Sequence, residues 1–276
     1  SRLDRRSRDL AELSLAWFGG EPLAALDIVL DVSDHARRLA AARGFRFASS
    51  ATTNGWILTP ANMRALVAAG VTAFQVTLDG EKEVHDQTRV RGGGGGTFDR
   101  IYGNLLALRA SSEPFEILLR VHISRKSEAT IVRFFGRLAD DFGGDDRFSL
   151  FVKGIEDLGG DGARDLVPLQ NQESIHQAAA RLFPRIDGGG DGEVQVPICY
   201  ASKLNALVVR ADGRLGKCTV ALEDPRNTVG SLRPDGTLEI DGAKVRPWAH
   251  GLFSGDADAL RCPLASLPSA LAAAPS

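Results

Sequence analysis

Short apolar runs alternating with longer amphipathic ones are the feature that most restricts how this chain can fold. Residues 13–18, 45–53, 71–78, 115–123 and 148–153 read as strands. Residues 23–43, 59–69, 97–110 and 128–142 carry apolar side chains at helical spacing between them. Strands separated by helices pair through crossovers, which gives a parallel sheet and an α/β fold. Thr59 and Pro60 mark one helix start as N-cap and first helical residue, and Gly70 marks its end. The stretch from Asp79 to Gly96 reads as a polar connection closed by a glycine run. Periodicity leaves two architectures open, a doubly wound sheet or part of a βα barrel.

The pattern changes after Gly154. Gly159-Gly160, Gly162 and Gly188-Gly189-Gly190 flank a single helical stretch, residues 172–183, and short strands and turns follow Val194. Ala211-Asp212-Gly213 is a hairpin signal between residues 204–210 and 214–217. Two domains are expected, residues 1–187 and 188–276.

Charge narrows the function. With 33 Lys+Arg against 35 Asp+Glu the net charge is −2, which lacks the basic excess of an electrostatic nucleic-acid binder. No run approaches the roughly 18–20 apolar residues that cross a bilayer, and no signal-type apolar core follows the basic opening. A cytoplasmic chain without nucleic-acid or membrane partners is expected. Three cysteines are an odd number for a disulfide framework, and a reducing compartment leaves them as thiolates.

Three polar words sit at successive strand ends: Gly19-Gly20-Glu21-Pro22, Thr52-Thr53-Asn54-Gly55 and Thr77-Leu78-Asp79-Gly80. In βα architectures small molecules bind beyond the carboxyl ends of strands, so these converge on one candidate rim. Each word alone is also ordinary turn chemistry: Asp79 before Gly80 favours a turn, and His85-Asp86 suits helix capping. A second signal lies in the cysteines. Cys199 and Cys218 are separated as Cys-x13-Gly-x4-Cys, with Gly213 at the hairpin tip. A hairpin brings two thiolates together, and thiolates favour iron–sulfur clusters or zinc.

Taken together, strand-Gly-Gly-Glu-Pro, Thr-Asn-Gly, and Thr-Leu-Asp-Gly followed by His85-Asp86 and Arg89 resemble a radical S-adenosylmethionine enzyme. The cysteine spacing resembles the SPASM or twitch extension of the peptide-modifying members. The resemblance implies a partial (βα)6-type barrel lacking its first βα unit, followed by a small α+β auxiliary-cluster domain. It assigns Gly19, Gly20 and Glu21 to the amino group of S-adenosylmethionine, Thr77 and Arg120 to its carboxylate, and Asn54 to the same pocket. Asp79 faces cosubstrate or substrate as the catalytic candidate. Cys199, Cys218 and Cys262 become ligands of one auxiliary [4Fe–4S] cluster. Residues 151–160 resemble the last barrel strand and bridging loop of peptide maturases, which implies a precursor peptide as substrate and a flavodoxin or ferredoxin as electron donor.

The family's Cys-x3-Cys-x2-Cys loop belongs before Leu13 and does not occur among residues 1–12, so the chain as given is expected not to cleave S-adenosylmethionine. The competing reading is a non-catalytic peptide-binding protein on a degenerate radical S-adenosylmethionine scaffold.

Overall fold

The computed structural model describes residues 10–154, 172–186 and 198–267. The described residues form two compact units, taken separately here.

The first unit is a parallel sheet of β1 (Glu12–Trp17), β2 (Arg46–Thr53), β3 (Val71–Leu78), β4 (Glu116–Ile123) and β5 (Phe148–Gly154). Its strands lie in the order β1-β2-β3-β4-β5, so chain order and spatial order coincide. That order resolves the choice periodicity left open. A doubly wound sheet reverses direction at a switch point, whereas right-handed crossovers advancing one way put every helix on one face, as in a barrel wall. An isolated parallel bridge, Leu150 to Ile186, extends the sheet past β5.

The helices are α1 (Leu26–Arg43), α2 (Pro60–Ala68), α3 (Lys82–Thr88), α4 (Phe98–Arg109), α5 (Ile131–Phe142) and α6 (Gln172–Leu182). Their spacing explains the packing. In α5, Ile131, Phe134, Phe135, Leu138 and Phe142 recur at helical intervals and all are buried. They join alternate strand residues, among them Phe74, Val76, Leu78, Leu119, Val121, Leu150 and Val152, in one core. The other alternate residues, including Gln75, Leu118, Arg120, His122, Phe151 and Lys153, stay half-buried on the opposite face. The sheet therefore has one packed face and one open, polar-lined face.

Local signals worked as expected at α2, where the Thr59 hydroxyl accepts from the Asn62 N–H at 3.3 Å with Pro60 opening the helix. The helix α3 was not expected, since Lys-Glu-Val-His-Asp-Gln-Thr carries little apolar periodicity. From within it, Asp86 Oδ1 accepts from the N–H groups of Thr97 and Phe98 at 2.7 and 2.9 Å, capping α4 from outside that helix. The capping reading of Asp86 is thus the one realised.

The second unit is a four-stranded antiparallel sheet of β6 (Val208–Val209), β7 (Arg214–Gly216), β8 (Gly230–Leu232) and β9 (Leu238–Ile240), followed by short helical turns from Gly242 to Ser266. The expected hairpin joins β6 and β7, with Gly213 at φ +83° in the turn. Leu215, Val229, Trp248, Ala201, Cys218 and Leu267 form its small core. Residues 155–160 of the expected bridging loop and the glycine run 188–190 lie outside the described residues. Among the described residues, no helix is long and apolar enough to cross a membrane.

Gly55 shows how tightly the strand ends are built. It sits at φ +78°, and a Cβ there would lie 3.0 Å from Val76 Cγ1 and 3.1 Å from Ile101 Cγ2. Alanine would meet left-handed strain of about 1–2 kcal/mol and a crowded core together. Gly55→Ala is expected to lower the urea midpoint by an amount equivalent to roughly 2 kcal/mol or more; an unchanged midpoint would refute this.

Candidate functional site

Register aligns the site residues. Thr53 pairs with Val76, and Thr77 pairs with Arg120. Asn54, one residue past Thr53, therefore lies level with Thr77 and Arg120 across three adjacent strands. Parallel strands present their carboxyl ends together, so residues 53–55, 77–80 and 120–122 share one end of the sheet.

Glu21 joins this row through hydrogen bonds. Its Oε1 accepts from the Thr53 hydroxyl at 2.7 Å and the Leu23 N–H at 3.0 Å, and its Oε2 accepts from the Asn54 N–H at 2.7 Å. The carboxylate therefore clamps the end of β1 to the end of β2. A carboxylate offers about four acceptor positions, so roughly one remains for an ammonium. The neighbouring glycines leave space: no atom outside their own chain neighbours comes within 4 Å of a Cβ built at Gly19 or Gly20, and Gly19 sits at φ +147°. Asn54 turns its side chain into its own loop, where Oδ1 accepts from the Trp56 N–H at 2.8 Å.

Thr77 and Arg120 stand side by side on the open face, and Phe151 is the register partner of Arg120 on the next strand. The guanidinium carbon of Arg120 lies 5.7 Å from the centre of the Phe151 ring. Arg120 Nε donates to His122 Nε2 at 2.9 Å. On its other side, His122 Nδ1 lies 3.2 Å from Asp79 Oδ1. Asp79 in turn accepts from Arg89 Nε at 2.7 Å and from the Thr88 hydroxyl at 2.8 Å. A continuous chain of contacts thus runs Arg89, Asp79, His122, Arg120.

Burial works to raise the Asp79 pKa, but the hydrogen bond from His122 and the charge and hydrogen bonds of Arg89 outweigh it. The carboxyl is held well below the ordinary 3.8. At neutral pH Asp79 is therefore an ionised acceptor, suited to orienting its neighbours. Behind it, His85 is fully buried, with Nδ1 accepting from the Asp79 N–H at 3.3 Å. The Thr97 hydroxyl donates to Arg89 O at 2.7 Å, so at 3.0 Å it accepts from His85 Nε2–H. Burial lowers the His85 pKa and keeps the ring neutral.

In the second unit, Cys218 is buried and Cys199 is half-buried against the same core, while Cys262 is exposed. Tyr200 and Thr219, the residues following the first two cysteines, meet through their hydroxyls at 2.7 Å. Cys262 is tied only indirectly, since the Cys199 N–H donates to Leu260 O at 2.9 Å. Among the described residues, no group of three or more His, Cys, Asp or Glu side chains is placed to hold a metal ion. The hairpin lies between Cys199 and Cys218, and Cys262 follows Arg261 at the start of a separate short helical turn.

Two buried polar residues that motif reading missed brace this region. Asn227 Oδ1 accepts from the N–H groups of Lys217 and Cys218 at 2.8 and 2.9 Å, and Nδ2 donates to Cys218 O and Ala221 O at 2.8 and 2.9 Å. All four of its hydrogen-bonding positions are used. Lys217 Nζ donates to Lys203 O at 2.6 Å and Ala206 O at 2.7 Å, and burial lowers its pKa. Sequence offers no signal for either role, because both depend on carbonyls brought in from other turns. His122 was legible in principle, two residues after Arg120 on the same strand face.

This fold, a unidirectional parallel βα sheet with its strand-end rim, is that of the radical S-adenosylmethionine enzymes. No protein-family model matches the sequence. Over 126 residues the chain is 34% identical to an AdoMet-dependent heme synthase of Methanosarcina barkeri (strain Fusaro / DSM 804), covering 45% of this chain and 32% of that protein. The chain thus spans about a third of the length of the curated relative it matches. Among solved structures it resembles native anSMEcpe with bound AdoMet and Kp18Cys peptide, with TM-score 0.64, 16% identity, and coverage of 89% of this chain and 70% of that one. Streptococcus suis SuiB bound to S-adenosylmethionine aligns with TM-score 0.54 and 12% identity over 94% of this chain and 58% of that one.

The ionisation states around Asp79 give an acid-stability prediction. His85 and Asp79 both have lowered pKa values in the folded chain, so the unfolded chain binds more protons as pH falls. Stability should therefore be full above the ordinary His value of 6.5, decline below it as the unfolded His85 protonates, and decline again below 3.8 as Asp79 does. Urea unfolding across this range should show both limbs, with the upper one weakened in His85→Gln. A profile for that variant parallel to wild type throughout would refute the assignment.

Proposed function

We propose that this chain is part of a radical S-adenosylmethionine enzyme that modifies a peptide, with the strand-end rim as its cosubstrate site. The observation carrying this reading is the level row of Glu21, Asn54, Thr77 and Arg120 at one end of a sheet whose other face is fully packed. The residues suit a zwitterionic amino-acid moiety. Arg120 supplies a charge-assisted donor for the carboxylate, with the Thr77 hydroxyl beside it. The open Gly19-Gly20 turn lets backbone carbonyls approach the ammonium, and the clamped Glu21 holds that turn in place while offering its remaining acceptor position. Asp79, through Arg89 and His122, keeps the rim's cations ordered.

With a reduced [4Fe–4S] cluster, S-adenosylmethionine supplies a 5′-deoxyadenosyl radical for hydrogen abstraction from carbon. A peptide substrate is supported by the similar structures, since native anSMEcpe binds the Kp18Cys peptide and SuiB binds its precursor peptide SuiA. A flavodoxin or ferredoxin fits as electron donor. We assign residues 188–276 to the auxiliary-cluster module, with Cys199 and Cys218 as its anchored thiolates. The Val220 N–H donates to Cys218 Sγ at 3.4 Å, an interaction that steadies a thiolate. Cys262 is the third candidate, on a segment tied to Cys199 through the Cys199 N–H to Leu260 O hydrogen bond.

Two measurements test these assignments. Calorimetric titration should show S-adenosylmethionine binding that weakens about tenfold or more in Arg120→Ala, the scale of one lost charge-assisted hydrogen bond. Equal affinity of the variant would remove Arg120 from the site. Anaerobic reconstitution should load iron and sulfide on the second unit, and Cys199→Ala should reduce the iron content and the visible absorption. Unchanged iron would sink the thiolate assignment.

A further inference from the structure

We infer that His122 is a positioning residue: locked by Asp79 as its Nδ1–H tautomer, it accepts from Arg120 and aims that guanidinium at the carboxylate of a ligand on the open face. The inference rests on the proposed cosubstrate reading of the rim, but its geometric core does not.

The argument begins with hydrogen-bond capacity. A guanidinium has donors only, so His122 Nε2, at 2.9 Å from Arg120 Nε, must be an unprotonated acceptor. The proton of the neutral ring then belongs to Nδ1, which faces Asp79 Oδ1 at 3.2 Å, and an ionised carboxylate can only accept. Both contacts require the same tautomer. Each end of the ring therefore enforces the other, which is the usual way a protein selects one imidazole nitrogen.

The anchor behind the ring is firm. Asp79 is held by Arg89 Nε at 2.7 Å, Arg89 Nη2 at 3.3 Å and the Thr88 hydroxyl at 2.8 Å. Those donors come from the end of α3 and the residue after it, while Arg120 and His122 project from β4. Orientation thus passes from the connection after β3 into a strand, and not along a flexible side chain alone. Phe151 limits motion on one side, with its ring centre 5.7 Å from the guanidinium carbon. The register partner of His122 on β5 is Lys153. Protonating His122 would place an N–H against the guanidinium and remove the acceptor.

Long-range proton–nitrogen NMR on the chain with labelled histidine and arginine tests the device without any ligand. His122 should show the neutral Nδ1–H pattern near pH 8, and Arg120 should show a protected, shifted Nε–H signal. That signal should vanish in His122→Phe and return in His122→Gln, whose amide can both donate to Asp79 and accept from Arg120. Titration with S-adenosylmethionine should show affinity about tenfold lower in His122→Phe and within about threefold of wild type in His122→Gln. An Nε2–H tautomer, or an Arg120 Nε–H signal unaffected by His122→Phe, overturns the inference. So does unchanged affinity of that variant. A wild-type chain that binds no S-adenosylmethionine instead defeats the proposed function, and the tautomer and Nε–H signals then decide the positioning claim alone.

Discussion

Everything functional in the first unit depends on one topological constraint, the coincidence of chain order and strand order. Five parallel strands wound in one direction put their helices on a single face, because each right-handed crossover returns on the same side. The apolar alternate residues then meet those helices in one core, and the remaining alternate residues are left to line an open face. Arg120, His122 and Lys153 are tolerated mid-sheet for that reason. In a sheet covered on both faces they would each need burial with full compensation.

On that face, Asp79 organises the neighbouring charges. Asp79 lies just past the end of β3 and connects Arg89, Thr88 and His122, so that the cations of the rim are ordered around a carboxylate that stays ionised. Glu21 plays a comparable part at the other side of the rim, spending three hydrogen bonds on joining β1 to β2. Both residues were recognisable as site candidates from their place at strand ends. Their contacts show that much of their work is to hold the rim in shape, which is consistent with sites whose binding groups are kept rigid by a supporting layer.

The second unit illustrates a different dependence. Its cysteine spacing announced a hairpin, and the hairpin is there, with Gly213 in the turn. Cys199 and Cys218 both pack against the unit's small core, while Cys262 is exposed and follows Arg261. Asn227 and Lys217 stabilise the loop around Cys218 through carbonyls from several turns, so neither could be weighted before the chain path was known.

What the amino-acid order alone determined was periodic or local. The strands and most helices of the first unit, the Thr59-Pro60 start, the hairpin at Gly213 and the strand-end words at Gly19, Asn54 and Asp79 all depend on neighbours within a few residues. The short helix from Lys82 to Thr88 escaped notice because it carries little apolar periodicity, and the Asp86 cap on a helix that starts twelve residues later is not a local signal. Only tertiary structure decided the winding of the sheet, the level row of Asn54, Thr77 and Arg120, and the tautomer of His122. These are set by register and by hydrogen bonds between groups far apart in the chain, and a linear pattern carries no record of which distant partners will share one face.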